Sequence, residues 1–177
     1  MTTCTSSGSN DAGASLLEVM VATAIMAVAC AGLLAAFSFG VSRNHSQGEV
    51  ATRTADLSRD KIDQLLALDI ADGSTNTTVY PPSPTGGTGL GGTMAANATV
   101  GSINPAAPVA NYVDYLDAGG NLLAGATSGF YRRQWSIGMN STARIKTITV
   151  LTTAASAGEG GGRAPSTTLV CMKTLLQ

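Results

Sequence analysis

From Val19 to Val41 the chain runs 23 residues without a charged side chain, and one acid, Glu18, closes the N-terminal end of that run. As a helix rising ~1.5 Å per residue the stretch is ~35 Å long, enough to cross the ~30 Å hydrocarbon core of a bilayer. A cleavable secretory signal would instead have a basic n-region and an apolar core of about 7–15 residues. This run is longer and opens on an acid. A carboxylate placed where an apolar helix enters lipid costs on the order of 2–3 kcal/mol unless it finds a partner, so Glu18 marks function before packing. The bland alternative is a glutamate that snorkels to headgroup level.

The residues around Glu18 narrow the choice. Gly13 is followed by one variable residue, Ala14, then a small hydroxyl residue, Ser15, two aliphatics, Leu16 and Leu17, and the glutamate. This order, continued by a long apolar helix, resembles the class III signal of type IV prepilins and pseudopilins, over roughly residues 13 to 40. The resemblance implies a membrane aspartic peptidase, the prepilin peptidase and N-methyltransferase, that cuts between Gly13 and Ala14 and methylates the new amine. That family usually has phenylalanine or methionine after the cut and a basic leader; here the residue is Ala14, and Met1 to Gly13 holds Asp11 and no base.

The resemblance also implies a place and partners: the bacterial inner membrane, crossed once, with the C-terminal domain in the periplasm or extracytoplasmic space. The partners are the lipid bilayer, an inner-membrane assembly platform and other pilin or pseudopilin subunits. In such filaments the glutamate neutralises the N-terminal amine of an adjoining subunit, and the physics agrees. Opposite charges attract strongly in a low-dielectric helix bundle, and either one alone is penalised. Such a pair sets axial register as a buried polar residue does in a coiled coil. Charge asymmetry does not settle this orientation: the leader supplies only its terminal amine while Arg43 and Arg53 lie on the C-terminal side, which taken alone mildly favours the opposite topology, and it is the resemblance that places residues after 41 outside the cytoplasm. Val28-Ala29-Cys30 resembles the end of a lipoprotein box, but the apolar run continues through Leu33, Leu34, Phe37 and Phe39.

From Ser42 the chain turns polar, while Val50, Thr54, Leu57, Lys61/Ile62, Leu65 and Leu68 recur every three or four residues. The spacing predicts an amphipathic continuation of the helix to about Asp69. Its other face carries Arg53, Asp56, Arg59, Asp60 and Asp63, read as a solvated face with an i,i+4 pair at Arg59 and Asp63. Gly32, Gly40 and Gly48 are candidate points of bending or melting.

Residues 70–111 are dominated by Gly, Pro, Ser, Thr, Asn and Ala, and read as a long, poorly packed surface loop. Strand patterns follow at Tyr112 to Leu116 and Asn121 to Leu123 around Asp117-Ala118-Gly119-Gly120, with good hairpin chemistry. Tyr131, Trp135 and Ile137 then alternate, followed by Ile145 to Thr152 and Leu169 to Leu176, separated by the Gly-rich Ser156 to Ser166. The expected fold class is α+β: a long N-terminal helix whose amphipathic half packs on a small antiparallel sheet, similar to type IV pilins. The divisions are 1–13 leader, 14–41 membrane and assembly helix, 42–69 amphipathic continuation, 70–111 loop and 112–177 sheet.

Little else carries chemistry. His45, the one histidine, lies just beyond the apolar run among Asn44, Ser46 and Gln47 and reads as solvated. Cys4 would leave with the leader, and Cys30 and Cys171 are too differently placed to close a loop; Cys171 reads as a buried strand residue. Asp69 with Asp72, and Asp114 with Asp117, match no calcium-loop spacing and are assigned turn and cap roles. The sequons at Asn44, Asn76, Asn97 and Asn140 are ordinary for so Thr-rich a chain, and Arg132-Arg133 alone makes no nucleic-acid patch. The expectation is a minor pilin or pseudopilin, with no cofactor, metal or enzymatic activity. The alternative is a single-pass anchored extracytoplasmic binding domain that never assembles.

Overall fold

The computed structural model describes residues 16–155 and 164–174. Helix α1 spans Leu16–Ala67, and five strands follow: β1 Thr99–Gly101, β2 Val113–Leu116, β3 Tyr131–Met139, β4 Ile145–Ala154 and β5 Ser166–Thr174. The chain divides into two compact units, Met1–His45 and Ser46–Gln177. This is the α+β class that the sequence predicts, with one long helix and an antiparallel sheet.

In the first unit every described residue is exposed, including Leu16, Leu33, Leu34 and Phe37 at more than 70 %. An 18-residue window here has mean hydropathy 2.4 with none of it buried, so the segment is long and apolar enough to cross a membrane. The Thr23 hydroxyl donates to the Met20 carbonyl at 2.9 Å, which satisfies a polar group that lipid could not. At the other end the Arg43 guanidinium lies 4.6 Å from the centre of the Phe39 ring. The helix assignment runs unbroken through Gly32, Gly40 and Gly48, so none of the three melts it.

In the second unit α1 buries Thr54, Leu57, Lys61, Ile62 and Leu65 of the stripe read from the spacing, and Ser58, which that stripe did not include. It ends at Ala67, two residues short of the expected Asp69, because the Asp69 carboxylate instead accepts from the Ala71 amide at 2.8 Å and starts a turn. The sheet is wholly antiparallel. Strand β3 pairs along its full length with β4 on one side, and on the other with β2 and then β1; β4 pairs with β5. Burial alternates residue by residue along β4, the period-2 signature of a sheet with one covered face. That face joins Ile62 and Leu65 to Trp135, Ile137, Ile148 and Val150 in the main core, while Leu57, Leu116, Tyr131 and Ala154 form a second cluster.

Two expectations fail. Asn121 to Leu123 is not a strand: only a single bridge joins Leu122 to Leu116, because the Asp117 side chain accepts from the Asn121 amide and closes the chain into a turn. Residues 70–111 are not a poorly packed loop. They supply Leu90 and Met94 to the core, add β1 to the sheet and form a bridge between Asn76 and Ser83. Glycine makes this compactness possible: Gly92 has a φ of +64°, and a Cβ on Gly73 would stand 2.9 Å from the Gly92 Cα. Strand β5 begins at Ser166, three residues before the expected Leu169; residues 156–163 and 175–177 lie outside the described residues.

What holds the 70–92 stretch is a buried lysine. The Lys146 ammonium on β4 donates to the carbonyls of Ile70 at 2.6 Å, Leu90 at 2.7 Å and Gly92 at 2.6 Å. Its register partner on β5, Lys173, donates to the carbonyls of Leu66 and Leu68 at the end of α1. Like charges directly opposite in a sheet repel. Here each is directed at carbonyls that a helix end or a tight loop would otherwise leave orphaned, where the helix dipole favours cations. Burial lowers the Lys146 pKa, with Asp69 and Asp72 opposing the shift. Lys146→Met should leave three carbonyls without a donor and cost about 1–3 kcal/mol. Urea unfolding of the full chain in detergent, followed by the fluorescence of the single tryptophan, checks this, together with faster proteolysis between residues 70 and 92.

Candidate functional site

Glu18 lies in the first turn of α1, where the positive end of the helix dipole favours a carboxylate. It is exposed, and none of the ion pairs among the described residues involves it. Gly13 and Ala14 lie outside the described residues, so the geometry of the expected cut is not on view. Cys30 and His45 are exposed on the same helix. Cys171 is a half-buried strand residue, with its thiol pKa raised by burial. Among the described residues no three His, Cys, Asp or Glu side chains stand together as metal ligands.

The second unit contains a charge cluster that the turn-and-cap reading misassigns. Asp114 is no turn residue: it points inward from β2 and is 2 % exposed. Its Oδ2 accepts from the Lys61 ammonium at 2.8 Å and from Arg133 Nη2 at 3.1 Å, and its Oδ1 accepts from Arg133 Nε at 2.9 Å. Lys61 also donates to the Thr77 carbonyl at 2.7 Å and lies 3.9 Å from the centre of the Trp135 ring. Arg133 reaches back to the helix through the Leu57 carbonyl at 3.1 Å and Asp60 at 3.0 Å. The signal is present in the spacing. Asp114 falls between Tyr112 and Leu116 on the inward side of a period-2 strand, and Lys61 interrupts the apolar stripe of α1. The remaining acids behave as expected: Asp72 accepts from Ser74 and Thr75, Asp117 from Asn121, and Arg59 meets Asp63 at 4.0 Å.

The cluster explains two pKa shifts. Burial lowers the Lys61 pKa to about 8, with Asp114 opposing the shift. For Arg133 burial also acts downward, but Asp114 and Asp60 outweigh it and raise the pKa above its ordinary value. The cluster therefore holds one carboxylate between two cations, which locks the helix to β2 and β3 without presenting a reactive group.

The model of the prokaryotic N-terminal methylation motif matches residues 8–34. No curated protein and no solved structure matches the chain. The matched segment contains Gly13, Ala14 and Glu18 and opens the long apolar helix. Motif and helix together are consistent with a membrane-anchored, type IV pilin-like protein.

Asp114→Ala leaves two buried cations without their carboxylate and should cost on the order of 3–5 kcal/mol. Lys61→Met should cost less, because Asp114 keeps Arg133. Lys61 has its folded pKa below its unfolded value, so its favourable contribution is complete above pH 10.5 and is lost as pH falls through about 8. Relative to Lys61→Met, the native chain should therefore gain stability between those pH values. Denaturant midpoints of the three proteins at several pH values check both statements.

Proposed function

We propose that this chain is a minor pilin or pseudopilin subunit, a structural component and not an enzyme. A prepilin peptidase cuts it after Gly13 and methylates the new amine of Ala14. The mature helix then stands as a single pass in the bacterial inner membrane, with the sheet domain on the extracytoplasmic side. From there the subunit joins a type IV pilus or a type II secretion pseudopilus on an inner-membrane assembly platform, through its N-terminal helix.

The observation that carries this reading is Glu18, an acid in the first turn of a helix whose apolar residues up to Val41 are all exposed. A carboxylate at that depth needs a cation. The cleavage that the motif implies creates one, the amine of Ala14 on a neighbouring subunit, four residues before the acid in the sequence. The pair then forms only between processed chains, so assembly is coupled to processing by charge.

Glu18→Ala should reduce incorporation of the subunit into filaments or cross-linked assemblies at least tenfold while membrane content stays unchanged. Glu18→Asp, which keeps the charge but shortens its reach, should fall between the two. Incorporation of Glu18→Ala at the native level would overturn the pairing role of Glu18, and a native chain that stays in the membrane and enters no assembly would leave only a single-pass anchored domain.

A further inference from the structure

Tyr80 is the most exposed large apolar side chain among the described residues of the second unit, at 83 %. The backbone that carries it is nevertheless fixed. Two hydrogen bonds between Asn76 and Ser83, of 2.7 and 3.0 Å, close the short excursion on which Tyr80 stands. Within it the Asn76 side chain accepts from the Thr78 amide and hydroxyl, and the Thr77 carbonyl accepts from the buried Lys61. The ring itself takes part in no hydrogen bond or ring contact among the described residues.

Tyr80 lines a concave pocket of about 390 Å³, whose other walls include Asp60 and Gln64 on α1 and the turn at Gly120, Asn121 and Leu122. That volume lies at the lower end of the small-ligand range of roughly 300–1,000 Å³. All the lining residues are described ones, and they hold one acid and one base, Asp60 and Arg133, which meet at 3.0 Å. The pocket is therefore polar without carrying net charge. Its carboxylate and two carboxamides are each held by hydrogen bonds that leave an oxygen over. Gln64 Nε2 donates to Asp60 Oδ2 at 3.0 Å, and Asn121 Nδ2 donates to Asp117 Oδ2 at 2.9 Å. Asp60 Oδ1 and the side-chain carbonyl oxygens of Gln64 and Asn121 accept from no group among the described residues, and each carboxamide keeps a second N–H.

We infer that this pocket binds the ring of a pyranose sugar. The face of an aromatic ring is negative and attracts the C–H groups on the flat side of such a ring. The hydroxyls at its edge donate and accept at once, which matches a set of spare carboxylate and carboxamide oxygens beside spare N–H groups. An anion would meet the unshared Asp60 oxygen and no free cation, and a cation would add a charge where Arg133 already balances Asp60. A wholly apolar ligand would strip water from the same oxygens and leave them unpaired. None of this depends on the assembly reading above.

The test is a titration of the full chain with the methyl glycosides of glucose, galactose, mannose and N-acetylglucosamine. The chain is held in octaethylene glycol dodecyl ether, a detergent with neither a sugar nor a choline headgroup, and binding is read from the Asn121 carboxamide and Leu122 amide resonances. At least one glycoside should give a saturable shift. Its midpoint should rise at least tenfold in Tyr80→Ala and at least threefold in Gln64→Ala, and stay within twofold in Tyr80→Phe, which keeps the ring. Tryptophan fluorescence and the thermal midpoint should remain native in all three variants, because both side chains lie at the surface of the domain. Equal shifts with glycerol or choline chloride, or an unchanged glycoside midpoint in a folded Tyr80→Ala, would overturn the assignment. So would resonances that respond to none of the four glycosides in the native chain.

Discussion

Asp114 carries its charge into the interior of the sheet domain and meets two cations there, Lys61 from the helix and Arg133 from β3. Replacing such a cluster by well-packed apolar residues often stabilises a protein, so its value here lies in position more than in energy. A helix lying on a sheet through an apolar stripe can rotate or slide with little loss of buried area. An ion pair with a fixed partner cannot, because moving one residue along α1 rotates the side chain by ~100°. Lys61 against Asp114, with Arg133 returning to Asp60 and the Leu57 carbonyl, fixes both the rotation and the height of the helix on β2 and β3. The core of Trp135, Ile137, Ile148 and Val150 then packs on one geometry.

The same helix follows different rules in its two parts. From Leu16 to His45 the described residues are exposed and the apolar ones have no packed face, and the segment is long and apolar enough to cross a membrane. From Ser46 to Ala67 the buried positions recur every three or four residues, and even Thr54 and Ser58 are buried because each finds a hydroxyl on the sheet: Thr167 at 2.8 Å and Thr152 at 2.7 Å. Lys173 finishes the arrangement at the helix end, where orphan carbonyls favour cations, and Lys146 takes up the carbonyls of Ile70, Leu90 and Gly92 beyond it.

The periodic elements are legible in the sequence, and the specific contacts are harder to see. The apolar run, the amphipathic stripe and the three long strands follow directly from spacing, and Glu18 stands out because nothing near it is charged. Residues 70–111 mislead because composition reports flexibility of the isolated chain. It does not report that Leu90 and Met94 find a core or that Lys146 collects three carbonyls. Asp114 misleads for the opposite reason: its spacing relative to Asp117 resembles a turn, and its inward register shows only when Tyr112 and Leu116 are taken as one face. Arg132 and Arg133 are indistinguishable in sequence, and strand pleating alone sends one to a satisfied cluster and the other to an open pocket.

The most direct measurement is the intact mass of the protein extracted from the membrane of cells that contain a prepilin peptidase. The expected result is a chain that begins at Ala14, lacks Met1 to Gly13 and carries one methyl group on its N-terminal amine. A membrane-resident chain that retains Met1 to Gly13 would contradict it, because without that cut the amine proposed to pair with Glu18 is never made.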